Sequence, residues 1–216
     1  MGATLDGDRP LDCGLERSRV LSRALSARDV PLDPSFGSDD GLWGEVWSQY
    51  DHPTREEWPV ERTLEPLLAP RPGDRFADLG AGGGYWSLRL ARAVGPEGHV
   101  FATDISRPLM RRLAWLAQRR GLRQLTAVEV CPEAVGLPDA SVDTALMTNV
   151  YRFEACNEGD RAYLERVWRA LRPGGRFIVQ QDFVHSAAWL KRREGCDQRT
   201  AAEVAALAEG LFRVER

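Results

Sequence analysis

A glycine-rich turn at residues 80–84, Gly-Ala-Gly-Gly-Gly, most constrains what this chain can fold into. It follows an apolar run at residues 76–79 that is too short for a helix and is typical of a parallel strand buried on both faces. A helical pattern comes next and ends in turn residues at 95–98; its apolar positions are Leu88, Leu90, Ala91 and Val94. Because glycine has no Cβ, a ligand can approach the turn closely. The segment therefore predicts a strand, a ligand-binding turn and a helix.

A second apolar strand, at residues 99–103, delivers Asp104 roughly 20 residues past the glycines, where a carboxylate can accept hydrogen bonds from ribose hydroxyls. This unit predicts a nucleoside-binding site. The dinucleotide pattern G-x-G-x-x-G fits poorly: counted from Gly80 it requires a glycine where Tyr85 stands, and counted from Gly82 it ends at Ser87.

An acid, Asp78, lies two residues before the first glycine, and it suits a cationic ligand better than a pyrophosphate. The run at residues 78–84 resembles the first motif of the class I S-adenosylmethionine-dependent methyltransferases, an acid followed by an apolar residue and G-x-G-x-G. Residues 128–138, 141–151 and 171–179 resemble the family's third, fourth and fifth strands with their adjoining loops. The four segments occur in the family's order and spacing.

The resemblance implies S-adenosylmethionine as the cofactor and S-adenosylhomocysteine as the product. The glycine loop and Asp78 would hold the methionine moiety, and Asp104 would bind the ribose. Glu133 stands where an acid of the family, usually Asp, meets the adenine amino group. The cofactor-binding residues implied in this way are Asp78, Gly80, Ala81, Gly82, Asp104, Ile105, Glu133, Ala134 and Asn149.

Strand and helix patterns alternate along the chain and predict an α/β fold, a Rossmann-like doubly wound sheet that is mostly parallel and has helices on both faces. We divide the chain into a weakly ordered N-terminal arm (1–40), a helical lid segment (41–72) and the methyltransferase-like core (73–216). The arm is polar, whereas aromatic residues recur at helical spacing just before the core. These aromatics either cover the pocket as a lid or pack as an ordinary helix; they are Trp43, Trp47, Tyr50 and Trp58.

The C-terminal part departs from the family. Thr200 and Glu203 form a predicted capping box for a helix over residues 201–209, and Gly210 ends that helix before a last strand at 211–215. The family's usual seventh, antiparallel strand would follow, and the sequence stops at Arg216. Three explanations of the missing strand remain open: a shortened chain, a different pairing of the last strand, or a strand supplied by another chain.

No catalytic residue is assigned. Methyl transfer from a sulfonium needs mainly a collinear, dry arrangement of donor and acceptor. The family often has histidines after the fourth strand, but this chain has Asn-Val-Tyr-Arg-Phe at 149–153, so their role cannot be carried over. His185 and Asp182 are candidate bases, with surface positions as the alternative. Tyr151 and Arg152 are expected near these candidate bases, at the entrance of the predicted acceptor pocket. There Arg152 could pair with a substrate carboxylate.

Composition narrows the range of possible ligands and cellular locations. The net charge of −3 argues against nucleic acid as the main ligand, although an arginine-rich helix around Trp115 leaves RNA contact as an alternative to a solvated face. No membrane span or signal core is visible, and we expect a cytoplasmic protein. The cysteines lack zinc spacing, so we expect no metal and four reduced thiols, with capture of a soft metalloid for methylation as the alternative; they are Cys13, Cys131, Cys156 and Cys196.

The sequence therefore predicts a methyltransferase that acts on a small molecule, with the acceptor atom and the oligomeric state, including a homo-oligomer, left open. A protein or peptide methyltransferase would share the cofactor residues. A non-catalytic cofactor-binding partner is a further alternative, which gains slight support from the missing histidines and the missing last strand. A nicotinamide oxidoreductase is disfavoured by Tyr85.

Overall fold

The structure is a computed structural model. It describes residues 11, 13, 22–25, 59–150, 159–180 and 199–215. Several predictions lie outside these residues: the aromatic lid, the mouth residues after position 150, the two candidate bases and two of the cysteines. The residues concerned are Trp43, Trp47, Tyr50, Trp58, Tyr151, Arg152, Asp182, His185, Cys156 and Cys196.

The described chain forms one six-stranded sheet with helices between the strands. The strands are β1 (Ser22–Leu25), β2 (Arg75–Leu79), β3 (His99–Asp104), β4 (Leu125–Val130), β5 (Val142–Thr148) and β6 (Leu171–Gln180). The helices are α1 (Pro59–Leu68), α2 (Tyr85–Val94), α3 (Arg107–Arg119), α4 (Asp160–Ala170) and α5 (Ala201–Leu207). Their alternation confirms the predicted Rossmann-like α/β fold.

The strand order is β1-β4-β3-β2-β5-β6, and every pairing is parallel except that of β1 with β4. The chain therefore builds outward from β2 in one direction through β3 and β4, and then in the other through β5 and β6. Such a reversal leaves a crevice at the carboxyl ends of the central strands, which is where open α/β sheets bind ligands.

Alternating side chains of β2 serve two separate cores. Phe76 packs on one face with residues of α1, α2 and α3, whereas Ala77 and Leu79 pack on the other with residues of α4. All three side chains are almost completely buried. The central strand is thus apolar on both faces, as the short apolar run predicted.

The structure adds a strand near one end of the chain and contradicts the strand predicted at the other. Within the predicted weakly ordered arm, residues 22–25 form β1, which pairs antiparallel with β4. Residues 211–215 form no strand. Gly210 takes a φ of 77°, and the backbone N–H groups of Leu211 and Phe212 both donate to the Ala208 carbonyl, so the chain turns back before a strand can begin. Phe212 packs against Phe177 of β6, with ring centroids 5.9 Å apart.

The expectation of four reduced thiols was also wrong, because Cys13 and Cys131 form a disulfide that spans 118 residues. The predicted capping box is present: Thr200 Oγ1 accepts from the Glu203 N–H, and Glu203 accepts from the Thr200 N–H. Among the described residues, no helix is both long enough and apolar enough to cross a membrane.

Candidate functional site

The glycine turn is tied directly to the neighbouring strand. The backbone N–H groups of Gly80 and Ala81 donate to the Thr103 carbonyl of β3, at 2.8 and 2.9 Å. These bonds satisfy two turn amides and fix the turn at the point where the strand order reverses. These bonds therefore hold the turn in place at the carboxyl ends of β2 and β3, and we call this surface the ledge.

The Asp104 carboxylate completes this ledge. Its Oδ2 accepts from the Gly82 N–H at 2.9 Å, and its Oδ1 accepts from the Ser106 N–H at 2.7 Å. Burial raises the pKa of Asp104, while backbone hydrogen bonds from Ser106, Gly82 and Ile105 oppose the shift. Each carboxylate oxygen keeps further acceptor capacity. A pair of ribose hydroxyls is the kind of ligand that such a fixed acceptor suits.

Two glycines of the turn differ in what an added side chain would meet. At Gly80, φ is 74° and a Cβ would collide with the side chain of Val150, which follows β5. At Gly82, φ is 52° and a Cβ would meet nothing within 4 Å. Gly80 is therefore required by packing beneath the turn. Gly82 faces open space, as a turn that receives a ligand must.

The predicted methionine-binding acid, Asp78, has a second role in the structure. Its side chain is 2% exposed, and the Ser87 hydroxyl of α2 donates a hydrogen bond to Oδ2. This bond links β2 to the helix that follows the glycine turn. Whether Asp78 also contacts a cofactor stays a prediction.

Two further predicted residues follow strands at the same edge. Ile105 comes directly after Asp104, and its side chain is 64% exposed, which is unusual for a large aliphatic group. Asn149 directly follows β5 and has a φ of 51°, and its N–H donates to the Gln180 carbonyl of β6. An exposed apolar side chain beside the carboxylate that is predicted to bind the ribose would suit the flat face of a purine.

The predicted adenine loop after β4 is a closed turn. The Ala134 N–H donates to the Cys131 carbonyl at 2.9 Å, and Arg166 of α4 donates to the Glu133 carbonyl at 3.0 Å. Glu133 is exposed, whereas Ala134 is buried. The structure thus places the loop and the Asp104 ledge at the carboxyl ends of adjacent strands, β4 and β3.

The sequence analysis missed Glu129, a carboxylate that is only 3% exposed in β4. Arg107 of α3 donates to its Oε2 at 3.2 Å, and the Leu11 N–H donates to its Oε1 at 3.2 Å. The sequence feature that could have revealed Glu129 is a single acid in a mostly apolar strand. A buried charge requires a partner. That pattern could have indicated a partner, but not that one partner is the backbone of residue 11.

A family model matches the central part of the chain. Residues 76–175 match the family model described as a methyltransferase domain. This match supports the resemblance to the class I S-adenosylmethionine-dependent methyltransferases that the sequence motifs indicated.

Known relatives are similar in sequence to part of this chain. It is 31% identical over 110 residues to a ubiquinone/menaquinone biosynthesis C-methyltransferase of Vibrio campbellii, a match that covers 50% of this chain and 41% of that protein. It is 44% identical over 64 residues to the nocamycin O-methyltransferase of Saccharothrix syringae, covering 30% of this chain and 23% of the relative. The matches therefore span less than half of the relatives' own lengths.

Solved structures show the same fold. A SAM-dependent methyltransferase from Aquifex aeolicus superimposes with a TM-score of 0.61 at 22% identity, covering 80% of this chain and 89% of that one. The [4+2]-cyclase SpnF superimposes with a TM-score of 0.55 at 21% identity, covering 70% and 55%. At such identities the likeness concerns the fold alone, and a methyltransferase and a cyclase that share one fold show that the fold does not determine the reaction.

Proposed function

We propose that this chain binds S-adenosylmethionine and transfers its methyl group to a small-molecule acceptor. The observation that carries the proposal is the Asp104 ledge: a carboxylate fixed by the Gly82 and Ser106 amides where the strand order reverses, with open space above Gly82. The match of residues 76–175 to the methyltransferase domain model supports the same cofactor.

The residues present fit the adenosyl group. Asp104 would accept from the ribose hydroxyls, and Ile105 and Ala134 would cover the two faces of the adenine. Glu133 would accept from the adenine amino group. Gly80, Ala81 and Gly82 would give the methionine moiety close access to the backbone, with Asp78 near its ammonium group and Asn149 at the open end of β5.

S-adenosylmethionine, when bound, supplies a methyl group already activated by a positively charged sulfur. This chain therefore has mainly to hold donor and acceptor in line and to exclude water. The rigid turn and the fixed carboxylate serve the first task. For an acceptor that must lose a proton, Asp182 and His185 remain the candidate bases from the sequence.

A small acceptor is supported by two of the relatives, a ubiquinone/menaquinone biosynthesis C-methyltransferase and the nocamycin O-methyltransferase. A protein or peptide acceptor uses the same cofactor residues, so acceptor screening is the deciding experiment.

The cofactor is tested by calorimetric titration of the chain with S-adenosylmethionine, S-adenosylhomocysteine and NADH. We expect saturable binding of the first two only. Binding of NADH, or of none of the three, would refute the proposed cofactor. The acceptor is then sought with methyl-labelled S-adenosylmethionine in small-molecule extracts and, separately, with peptide pools. Label in peptides alone would refute the small-molecule acceptor, and binding without transfer to either pool would favour a non-catalytic partner.

A further inference from the structure

The N-terminal segment is fastened to the end of β4 in three ways, and we call its described part the N-terminal clip: Leu11, Cys13 and β1. Cys13 is bonded to Cys131, the Leu11 N–H donates to Glu129, and β1 pairs along β4 from Ser22 opposite Val130. Two of these attachments lie on β4, and the third is at Cys131, the first residue of the loop at 131–134 that is predicted to hold the adenine.

The clip also packs against that loop. Leu11 contacts a small apolar cluster formed by Val128, Val130, Cys131 and Ala134, which is separate from the two main cores. Ala134 is one of the residues expected to cover the adenine. A cluster of this size has few alternative packing partners, so removing Leu11 exposes the back of the loop.

The same contacts reach the ribose side of the site through Glu129. Arg107, which donates to Glu129, begins α3 just after Asp104, Ile105 and Ser106. The side chains of Arg107 and Glu129 are 11% and 4% exposed, so this ion pair is shielded from water and fixes the relative positions of β4 and the start of α3. One carboxylate therefore connects the clip to both halves of the predicted adenosine site.

We propose that the N-terminal clip positions the adenosine site, and that reduction of the Cys13–Cys131 disulfide weakens binding of S-adenosylmethionine and S-adenosylhomocysteine. The inference rests on the proposed function. Cys13 is exposed, whereas Cys131 is 1% exposed, so a reductant can reach the bond from the Cys13 side. Exposed disulfides are those that small dithiols reduce readily.

The redox step is thiol–disulfide exchange with a dithiol. A thiolate of the dithiol attacks the Cys13 sulfur, Cys131 leaves as a thiolate, and the second thiol of the reductant then displaces Cys13. Two electrons and two protons pass from the dithiol to the protein, which gains two thiols, and the reductant becomes a cyclic disulfide. Reduction leaves β1 paired with β4 but removes the covalent link at Cys13, so Leu11 is held beside Glu129 by noncovalent contacts alone.

The experiment uses the full chain with Cys156→Ser and Cys196→Ser, so that only the pair in question can react. Intact mass first shows whether the oxidised protein lacks two hydrogens; two free thiols after treatment with oxidised glutathione would overturn the proposal. S-adenosylhomocysteine affinity is then measured by calorimetry with and without dithiothreitol. We expect reduction to weaken binding about fivefold or more, the lower end of typical coupling between sites.

Cys13→Ser is the decisive variant, because Cys13 is exposed and its replacement disturbs no core. It should bind as weakly as the reduced protein and should not respond to dithiothreitol. The matched control is Leu125→Ala, at the other end of β4, where the side chain is 8% exposed. This change should lower stability and leave affinity within about twofold, so that a general loss of stability is distinguished from repositioning of the loop.

Hydrogen exchange provides a readout that does not depend on the cofactor. Reduction should accelerate exchange of the amides at residues 131–136 more than those of β2. If the oxidised protein binds no S-adenosylhomocysteine, the proposed function fails, and the exchange data still decide whether the clip positions the loop. Unchanged exchange at 131–136, or affinities for S-adenosylhomocysteine equal within about twofold in the oxidised and reduced states, would overturn the inference.

Discussion

Replacing Asp104 with asparagine tests the part of the site on which the proposed function most depends. The carboxylate accepts from the Gly82 N–H through one oxygen and from the Ser106 N–H through the other. An asparagine offers one oxygen, so its amide nitrogen must face one of these two N–H groups. The change therefore loosens either the glycine turn or the start of α3, and it removes the charged acceptor for the ribose.

The expected loss can be estimated from a single charge-assisted hydrogen bond. Such a bond contributes about 1.5–3 kcal/mol, so the affinity of Asp104→Asn for S-adenosylhomocysteine should fall roughly 10- to 150-fold. Calorimetric titration of the wild type and the variant, with circular dichroism to verify the fold, measures this directly. A folded variant that bound within about twofold of the wild type would refute the ribose assignment.

Asp143 provides the matched control at the opposite edge of the sheet. It accepts from the Arg75 N–H at 2.8 Å and from Arg172 Nη1 at 2.9 Å, near the amino end of β5. Asp143→Asn disturbs a comparable pair of bonds far from the crevice. Its stability should fall while its affinity for S-adenosylhomocysteine stays within about twofold of the wild type.

The pH dependence of the Asp104 site separates binding from folding. Because burial raises the pKa of Asp104 in the folded state, the native protein takes up this proton more readily than the unfolded chain. As the pH rises from the unfolded to the folded pKa, the contribution of Asp104 to stability decreases. The charged form needed for the ribose increases over the same interval, so cofactor affinity should rise. Asp104→Asn should lose both dependences.

Three further changes test the surrounding structure. Gly80→Ala should destabilise the fold by about 1–3 kcal/mol in thermal or urea unfolding, and adding Val150→Ala should restore the steric part only, because φ stays positive. No recovery would contradict the collision. Arg199→Ala should cost about 1–3 kcal/mol, because Asp160 is 1% exposed and Arg199 Nε lies 3.3 Å from it; a neutral effect would show that its other contacts suffice. Thr200→Ala should remove the capping box and cost about 0.5–2 kcal/mol, and an unchanged melting temperature would show that α5 does not need it.

The parts of the fold that were predictable depend on local sequence. The strand, glycine turn and helix at residues 76–94 follow from apolar spacing and the positive φ values that glycine allows, and Asp104 follows from the length of one strand-helix-strand unit. The clip was not predictable, because its attachments to β4 join residues more than a hundred positions apart, and a polar segment gives no local sign of such a pairing. The prediction of a final strand was wrong for a local reason. Apolar residues alternate at 211–215 as in a strand, but after the turn at Gly210 the N–H groups of Leu211 and Phe212 donate to the Ala208 carbonyl.

The two halves of the predicted adenosine site are held by different kinds of interaction. On the ribose side, Asp104 and the Thr103 carbonyl already satisfy the turn amides, so the acceptor is fixed before any ligand arrives and little ordering is left to oppose binding. On the adenine side, the loop at 131–134 is short and depends on attachments from outside it, to Arg166 and to the clip. Fragments of the cofactor should report the difference. Adenine alone should respond to reduction of the disulfide, whereas a fragment lacking the base should respond chiefly to changes at Asp104.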